Sequence, residues 1–239
     1  MEVLNGISVI ANYPRIIKKG IDELRWASIW HDTIREVKWA NGVSVSPGRY
    51  AVGYNFLYAL TRILSEKRPQ KVLDIGLGIS STFISSYFIA NDVINGIHTI
   101  VEGDKNWMDF YLANRSMSKN SKVLLCSTIT VEEGGESWSI YEDLDKYLSG
   151  LKYEVICVDA PGCGKKRSRT DILKLIPNCL ENSWIILFDD YNNKGVSKTV
   201  KETMGLLRKN NIEYRLGKLS GASDVAILTS VDNAFYCTL

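Results

Sequence analysis

Three aspartates follow two predicted buried strands, and their positions allow the carboxylates to act together. Asp159 follows the apolar run 154–158, and Asp189 and Asp190 follow the run 184–188. Neighbouring parallel strands lie about 4.8 Å apart, so these side chains can converge where the strands end. Like charges at that range raise one another's pKa unless a cation neutralises them. A hard divalent ion such as Mg²⁺ would do so, and it would also make a bound hydroxyl more acidic.

The same aspartates also have a plainer explanation. Asp189 or Asp190 could cap the next predicted helix or pair with Lys194. Without a metal, Asp159 alone is a candidate base for a hydroxyl group. Its place at a strand end also makes Asp159 a candidate cofactor contact, because ligands of parallel α/β sheets bind there.

A glycine turn after the first predicted strand is the second candidate for ligand binding. The apolar run 72–75 ends in Gly76-Leu-Gly78, and a helix is predicted over 82–90. A strand, a glycine turn and a helix N-terminus are typical of a nucleoside or phosphate cradle, because a Cβ would block close approach of the backbone to the ligand. Three hydroxyl side chains can cap the new helix: Ser80, Ser81 and Thr82.

The residue types around this turn distinguish between two ligands. A dinucleotide site has a third glycine where this chain has Ser81, which disfavours a nicotinamide cofactor. The pattern Asp74-x-Gly76-x-Gly78 suits a ligand with an amino group and a cationic sulfonium. It resembles the first motif of the Rossmann-like methyltransferases that use S-adenosylmethionine (SAM). The cofactor-binding residues that this resemblance implies at the turn are Asp74, Gly76, Gly78, Ser80 and Ser81.

A further acid ends the second predicted strand, 97–101. Glu102 lies 24 positions after Gly78, close to the spacing of about 20 at which this architecture places an acid on ribose hydroxyls. A carboxylate suits that role because it can accept hydrogen bonds from both hydroxyls. Ser127 and Thr128, at the exit of the third predicted strand, are expected to flank an adenine ring.

Basic residues after Asp159 are candidates for chemistry on the methyl acceptor. Lys165 could act as a base if burial lowered its pKa, although a solvated basic loop explains it equally well. Arg167 and Arg169 could pair with a carboxylate or phosphate of the acceptor, and Arg169 could instead stabilise its own helix. Arg49, in a Pro/Gly loop before another predicted helix, is expected beside the cofactor or the acceptor.

The strand endings VDA at 158–160 and FDDY at 188–191 carry a more specific resemblance. They resemble the metal-dependent sugar O-methyltransferases of macrolide and aminocoumarin biosynthesis, and they are similar to catechol-type O-methyltransferases. This resemblance implies that Asp159, Asp189 and Asp190 are metal ligands, and it places Tyr191 in the acceptor site.

A second resemblance is to glucuronoxylan-type polysaccharide methyltransferases. It rests on the glycine turn, on the segment Val101-Glu-Gly-Asp-Lys-Asn-Trp107 and on Asp159-Ala-Pro-Gly-Cys-Gly164 with Arg169. Those enzymes lack FDDY, so the two resemblances imply different answers about a metal. The likeness covers residues 70–205 and leaves out the N-terminal segment.

The elements that must position these residues follow one another in a regular series. Five predicted strand–helix units are followed by two final strands, over 213–216 and 225–229. This series predicts an α/β fold with a doubly wound, mostly parallel seven-stranded sheet whose last strand is antiparallel. Residues 1–48 are expected to form an N-terminal helical cap, and 49–239 to form the methyltransferase domain.

The connections between the strands are predicted with less regularity. Residues 130–139 are expected to form a polar loop, because glutamates, serines and glycines are frequent there. Helices are expected over 141–148 and 170–180.

Composition narrows the class of protein. The chain has 239 residues, of which 45% are hydrophobic, and this suits one α/β domain with an N-terminal extension. A net charge of +2 gives no general affinity for nucleic acid or an anionic membrane. The five cysteines lack C-x-x-C spacing, no signal pattern is present, and no apolar run approaches a membrane span. We therefore expect a cytoplasmic protein with free thiols that binds neither nucleic acid nor membrane, with a homodimer as one expected assembly.

These observations favour a SAM-dependent O-methyltransferase that acts on a hydroxyl of a sugar, a polysaccharide precursor or a related small molecule. Two alternatives stay open: a non-catalytic Rossmann-like domain that binds a nucleoside or a partner, and a nicotinamide-dependent oxidoreductase. The sequence does not name the acceptor, because acceptor pockets in this fold are built from variable loops.

Overall fold

The computed structural model describes residues 2–40, 42–43, 51–162, 164 and 166–239. Arg49 and Lys165, both expected at the site, lie outside these residues. None of the helices in the described part combines the length and the hydropathy that crossing a membrane requires.

A seven-stranded sheet forms the centre of the molecule. In the described part of the chain the strands are β1 (Lys71–Ile75), β2 (Ile97–Glu102), β3 (Ser121–Leu125), β4 (Thr128–Glu133), β5 (Glu136–Tyr141), β6 (Tyr153–Val158), β7 (Leu180–Phe188), β8 (Arg215–Leu219) and β9 (Val225–Thr229). Seven of them form one sheet in the order β3-β2-β1-β6-β7-β9-β8. Strand β9 runs antiparallel to β7 and β8, and the other neighbours are parallel. The doubly wound, mostly parallel sheet predicted from the sequence is confirmed.

Helices lie on both faces of this sheet. Their bounds are α1 (Glu2–Ile34), α2 (Tyr54–Glu66), α3 (Ile79–Ala90), α4 (Lys105–Asn114), α5 (Leu144–Tyr147), α6 (Ile172–Leu175) and α7 (Lys194–Lys209), with short 3-10 helices at Lys38–Ala40 and Val231–Thr238. Alternate strand residues face opposite sides: Val72 packs with α1, α2 and α3, and Leu73 packs with α5, α6 and α7. Covering both faces explains why the central strands are continuous apolar runs.

Helix α3 begins earlier than predicted. It starts at Ile79 rather than at position 82, and Gly78 is the residue before its first turn. Ser80 and Ser81 therefore lie inside that turn, where their hydroxyls donate to the carboxylate of Asp74. Ser81 Oγ also accepts from the N–H of Gly78, the N-cap residue, at 3.1 Å, so the expected capping is confirmed for Ser81. Ser80 instead ties the first turn to the carboxylate from β1.

The expected polar loop at 130–139 is instead a β-hairpin formed by β4 and β5. Its two-residue turn is Gly134-Gly135, with φ angles of +59° and +74°. Two consecutive positive φ angles are typical of the tight hairpin turns that favour glycine, since their twist matches that of the strands. Glycine pairs of this kind are a hairpin signal, and the frequent polar residues obscured it. The helix expected over 141–148 shortens to α5 because Tyr141 belongs to β5.

The helix expected over 170–180 is also much shorter, and α6 ends at Leu175. Pro177 explains this difference, because proline restricts the preceding residue to extended conformations and has no backbone N–H for a helix. Ile176 has a ψ of +136°, which is an extended conformation. The chain then enters β7 at Leu180, four residues before the predicted strand start.

The N-terminal helix α1 is attached to the rest of the molecule through its second half. Trp30 is buried and donates from Nε1 to Thr61 Oγ1 of α2 over 3.1 Å. Trp26 donates from Nε1 to the carbonyl oxygen of Ser220 over 2.7 Å. A helical cap is therefore present, and the boundary predicted between residues 48 and 49 falls among residues outside the described part.

Candidate functional site

The register of the central strands brings the predicted site residues to one edge of the sheet. Ile75 of β1 pairs with Val158 of β6, and Val158 pairs with Phe188 of β7. The next residues, Asp159 and Asp189, therefore leave neighbouring strands at the same level. Their N–H groups still follow the ladder, donating to the carbonyl oxygens of Ile75 and Val158 at 3.0 and 3.2 Å.

A cavity of about 460 Å³ opens at the glycine turn. Gly76 has a φ of +118°, and a Cβ on it would lie 3.0 Å from the Cβ of Ala160. A Cβ on Gly78 would meet no atom within 4 Å, because it would project into open space. The turn therefore has both properties of a ligand cradle: a backbone that needs glycine and room for a ligand at close range. The volume lies within the usual range for small-molecule sites, about 300–1,000 Å³.

Asp74 stabilises this turn from below. Its carboxylate is completely buried and accepts hydrogen bonds from Ser80 Oγ at 3.0 Å and Ser81 Oγ at 2.5 Å. Burial raises the pKa of Asp74 to about 7, and the two serine hydroxyls oppose this shift. Of these three predicted cofactor-binding residues, only Ser80 lines the cavity. Asp74 and Ser81 hold the turn and the start of α3 together.

Glu102 lies at the end of β2 and faces the same cavity. Its Oε1 accepts from the N–H groups of Gly103 and Asp104 at 2.6 and 2.7 Å, and its Oε2 accepts from the N–H of Leu77 at 3.3 Å. A carboxylate has about four acceptor sites, so capacity remains for ligand hydroxyls. The structure thus places Glu102 beside the glycine turn, as the spacing predicted.

A second cavity of about 500 Å³ adjoins the first through Glu102 and Ala160, which line both. Thr128 lines this second cavity together with Tyr141. Ser127 is exposed, and its carbonyl oxygen accepts from the N–H of Glu142. The structure therefore brings Thr128 to the site, whereas Ser127 contributes its backbone to the connection with the hairpin.

Helix α4 contributes cavity residues that the sequence analysis did not single out. Trp107 donates from Nε1 to the carbonyl oxygen of Leu77 over 2.8 Å, and the Tyr111 hydroxyl donates to the carbonyl oxygen of Gly78. Arg115, the residue directly after α4, also lines the cavity. The i, i+4, i+8 spacing of these three side chains was visible in the sequence, because it places them on one helix face.

The three aspartates at the ends of β6 and β7 converge as predicted. Each offers a carboxylate oxygen, and these oxygens lie within 4.8 Å of one another. Asp189 is almost completely buried, and its Oδ1 has no hydrogen-bond partner in the described structure. An unpartnered buried carboxylate oxygen is the kind of group that a bound cation would satisfy. Neither acid caps α7, whose N-cap is Asn193.

Arg169 supplies a cation inside this cluster. It is 2% exposed, and its Nη2 donates to Asp159 Oδ1 at 3.0 Å and to Asp190 Oδ2 at 2.7 Å. Its Nη1 donates to the carbonyl oxygens of Val158 and Asp189. The expectation that Arg169 meets a charge on the acceptor is therefore corrected: both of its terminal nitrogens donate to protein oxygens at the ends of β6 and β7.

The cluster carries more negative than positive charge, and the pKa values of Asp159 and Asp189 are raised. Burial raises the pKa of Asp159 well above its usual range; Arg169 opposes this shift, and the other two aspartates add to it. Burial raises the pKa of Asp189 to about 6, with Asp190 adding to the shift and Arg169 opposing it. Three carboxylates with one guanidinium thus favour either a retained proton or a second cation.

The remaining predicted acceptor residues lie around this cluster. Arg167 pairs with Glu202 of α7 at 2.5 Å, and its guanidinium lies over the ring of Trp138, 5.4 Å from the centroid. Tyr191 is partly exposed, and its N–H donates to the carbonyl oxygen of Asp224 at 2.7 Å. Arg167 is thus held between α7 and the hairpin, and Tyr191 is tied through its backbone to the β8–β9 connection.

The N-terminal part of the chain supports the acid cluster through the connection between β8 and β9. Ser223 donates from Oγ to Asp190 Oδ1 at 2.8 Å, and Asn55 of α2 donates from Nδ2 to the carbonyl oxygen of Ser223 at 2.7 Å. Lys19 of α1 donates to the carbonyl oxygen of Ala222 at 2.8 Å. Helices α1 and α2 therefore fix the loop that positions one of the three acids.

The comparison with solved structures identifies the fold. An O-methyltransferase from Bacillus cereus in complex with S-adenosylhomocysteine (SAH) has a TM-score of 0.55 and 11% identity, covering 89% of this chain and 97% of its own. The O-methyltransferase TomG from Streptomyces achromogenes, involved in tomaymycin synthesis and complexed with SAM, has a TM-score of 0.51 and 12% identity, covering 86% and 89%. The chain has the fold of the SAM-dependent methyltransferases.

A third solved structure has the same methyltransferase fold. A putative O-methyltransferase from Klebsiella pneumoniae has a TM-score of 0.53 and 11% identity, covering 87% of this chain and 89% of its own. No protein-family model matches the sequence, and no curated protein matches it. At these identities the similarity establishes the methyltransferase fold, and the chemistry must be argued from the site.

Proposed function

We propose that this protein is a SAM-dependent O-methyltransferase that methylates a hydroxyl of a sugar, a polysaccharide precursor or a related small molecule. The observation that carries the proposal is the position of Asp159. Its side chain lines the cavity of the glycine turn and also belongs to the acid cluster at the ends of β6 and β7. A methyl donor in that cavity and an acceptor beside that cluster would meet at this one carboxylate.

The cavity has the groups that SAM requires. Gly78 leaves room for close approach of a ligand, and Glu102 has acceptor capacity for ribose hydroxyls. Thr128 and Tyr141 line the adjoining cavity, which suits an adenine ring. The solved structures with this fold that contain SAM or SAH support the same cofactor.

Methyl transfer needs alignment of two reactants and removal of one proton. Bound SAM supplies a methyl group to the acceptor oxygen, and the electron pair of the broken carbon–sulfur bond stays on sulfur. Asp159 accepts the proton that leaves the acceptor hydroxyl. Burial favours this role, since it raises the pKa of Asp159 and so strengthens it as a base.

The alternative form of this proposal includes a divalent cation held by Asp159, Asp189 and Asp190. The unpartnered Asp189 Oδ1 favours it, and so does the excess of negative charge in the cluster. Such an ion would make the acceptor hydroxyl more acidic. A sugar acceptor is proposed on the resemblance of the strand endings VDA and FDDY to sugar O-methyltransferases.

Calorimetric titration tests the cofactor directly. We expect the purified protein to bind SAM and SAH and not to bind NAD. An affinity for NAD without one for SAM or SAH would instead favour the oxidoreductase. Binding of SAH without turnover on any of a panel of sugars and catechols would favour the non-catalytic nucleoside-binding domain.

Asp159→Asn tests the chemical step. We expect turnover with an identified acceptor to fall by about 10²–10⁴, the usual contribution of a general base. The isosteric amide cannot accept the proton. Asp109→Asn, an exposed site on α4 that pairs only with Lys105 in the described structure, is the matched control. Equal turnover in the two variants would contradict the role given to Asp159.

A further inference from the structure

The position of Arg169 bears on whether the acid cluster of the proposed methyltransferase site holds a divalent ion. The inference rests on the proposed function. The buried guanidinium of Arg169 bridges two of the three convergent carboxylates, those of Asp159 and Asp190. A cation held by all three aspartates would also take an oxygen from each of these two carboxylates.

We propose that Arg169 is the resident cation of this acid cluster, and that the wild-type site holds its aspartates in place without a divalent ion. Arg169 is then a positioning residue: it acts on the acceptor only through Asp159. The alternative with a bound metal and this proposal exclude each other at the same two oxygens.

The surroundings of Arg169 keep its guanidinium where it is. Its terminal nitrogens donate to two carboxylates and to the carbonyl oxygens at the ends of both β6 and β7. Arg169 therefore joins the two strands at the point where the three acids follow them. The backbone on either side is held as well. Thr199 of α7 donates to the carbonyl oxygen of Ser168 at 2.7 Å, and Trp138 of β5 donates to Thr170 Oγ1 at 2.9 Å.

The backbone of Arg169 itself supports a specific requirement for this side chain. Its φ is +55°, a left-handed conformation that is unfavourable for a residue with a Cβ. Glycine would relieve that cost, yet the position carries the largest cationic side chain. The planar guanidinium can bridge two carboxylates and bind carbonyl oxygens at once, which a lysine ammonium does less well.

A divalent ion does not fit the cluster while Arg169 stays in this position. An ion such as Mg²⁺ would lie about 2.1 Å from each ligand oxygen. Arg169 Nη2 already lies 3.0 Å from Asp159 Oδ1 and 2.7 Å from Asp190 Oδ2. The ion and the guanidinium would then be neighbours on the same two carboxylates, and their like charges would repel each other beside the buried Asp189.

Binding of Mn²⁺, measured by electron paramagnetic resonance, tests the proposal without any acceptor. We expect the wild-type protein, after treatment with EDTA and dialysis, to leave the signal of free Mn²⁺ unchanged. We expect Arg169→Met to bind one Mn²⁺, because removal of the guanidinium leaves three convergent carboxylates. Arg167→Met is the matched control: it removes a neighbouring arginine paired with Glu202, outside the cluster, and should not create a Mn²⁺ site.

Two further variants keep the test decisive. Arg169→Gln retains a neutral donor on a shorter side chain, and it replaces Arg169→Met if that variant does not fold. Adding Asp189→Asn to either variant should abolish the new Mn²⁺ site. A bound ion should also raise the melting temperature of the Arg169 variants, because a ligand that binds only the folded state stabilises it.

Two outcomes would overturn the proposal. Stoichiometric Mn²⁺ binding by the wild type that Asp189→Asn removes would show that metal and Arg169 coexist. Absence of Mn²⁺ binding in both Arg169 variants would show that Arg169 does not occupy a cation site. Titration of the same samples with SAH keeps the proposed function separate, since a wild type without SAH affinity would reject that function and leave the Mn²⁺ result unaffected.

Discussion

Glu102 holds the turn after β2 and faces the cavity at the same time. Its carboxylate accepts from three backbone N–H groups, those of Leu77, Gly103 and Asp104. One side chain therefore ties the glycine turn to the start of α4, and it also presents acceptor capacity to a ligand. Substitutions at this residue must be chosen to separate these two roles.

Glu102→Gln makes that separation. The amide oxygen can still accept from the N–H groups of Gly103 and Asp104, whereas the 3.3 Å contact with the Leu77 N–H and the charge that strengthens a bond to ligand hydroxyls are lost. We expect the affinity for SAH to fall by about 1.5–3 kcal/mol, the range for hydrogen bonds to charged groups. Calorimetry measures it, with Glu133→Gln at the exposed hairpin turn as the control. Equal affinities in the two variants would remove Glu102 from the cofactor site.

Gly78 is the second residue whose role follows from its own geometry. A side chain there would project into the cavity, where a Cβ meets no protein atom within 4 Å. We expect Gly78→Leu to fold normally and to weaken SAH binding at least tenfold, about 1.4 kcal/mol, because the side chain takes the ligand's space. Gly205→Leu on α7, also with open space around the added Cβ, is the control. Wild-type affinity in Gly78→Leu would place the ligand elsewhere.

Among the elements, α1 has two different faces. Its second half packs through Trp26 and Trp30 and supports the β8–β9 connection that carries Ser223. Its earlier turns expose apolar side chains: Tyr13, Ile16, Ile17, Ile21 and Leu24. Only the first of these faces is tied to the site in the described structure.

Two substitutions on α1 compare these faces. Trp30 is 1% exposed and Leu24 is 73% exposed. We expect Trp30→Ala to reduce the free energy of unfolding by about 3–5 kcal/mol, because it leaves a large cavity between α1, α2 and α3. We expect Leu24→Ala to change that free energy by no more than about 0.5 kcal/mol. Urea unfolding measures both values. A small effect of Trp30→Ala would mean that α1 is not part of the cooperative core.

At the scale of the whole molecule, buried titratable groups at opposite ends of the sheet make stability depend on pH. His98, near the start of β2, is completely buried; its Nδ1 lies 2.8 Å from Ser121 Oγ, and burial lowers its pKa to about 3. Asp74, at the other end of β1, has its pKa raised to about 7. The two shifts act in opposite directions on folding.

The direction in which each group changes stability with pH follows from its pKa in the folded and in the unfolded chain. The unfolded chain binds a proton at histidine below pH of about 6.5, whereas folded His98 binds it only near about 3. The contribution of His98 to the free energy of unfolding is complete above pH of about 6.5. It is lost as pH falls below that value, by up to about 1.4 kcal/mol per pH unit. Asp74 contributes most at low pH, and its contribution is lost as pH rises from about 4 through about 7.

His98→Leu isolates one of these effects. We expect the wild type to lose more stability than this variant as pH falls below about 6.5, since leucine has no proton to bind. Unfolding in urea across that pH range measures the difference between the two proteins. Parallel pH profiles would show that His98 binds its proton equally in the folded and unfolded states.

Much of the sheet and part of the site could be predicted because short-range patterns determine them. An apolar run of five residues followed by an acid indicates a buried strand that ends at a polar edge, and this placed Asp159 and Asp189 correctly beside each other. The spacing from Gly78 to Glu102 follows from the lengths of one helix, one connection and one strand, which are α3, residues 91–96 and β2. The Gly134-Gly135 hairpin was also encoded locally, and frequent polar residues concealed it.

The cation of the acid cluster was decided only by the tertiary structure. Arg169 reaches Asp159 across 10 residues and Asp190 across 21. Those contacts exist because β6 and β7 are neighbours in the sheet and because α7 and the hairpin hold the intervening loop. From the sequence, Arg169 was one of several basic residues in a loop and three carboxylates lacked a counter-ion. Local residue patterns specify which strands form, whereas the cation that offsets part of the charge of an acid cluster depends on which side chains the packed strands and loops bring within hydrogen-bond distance.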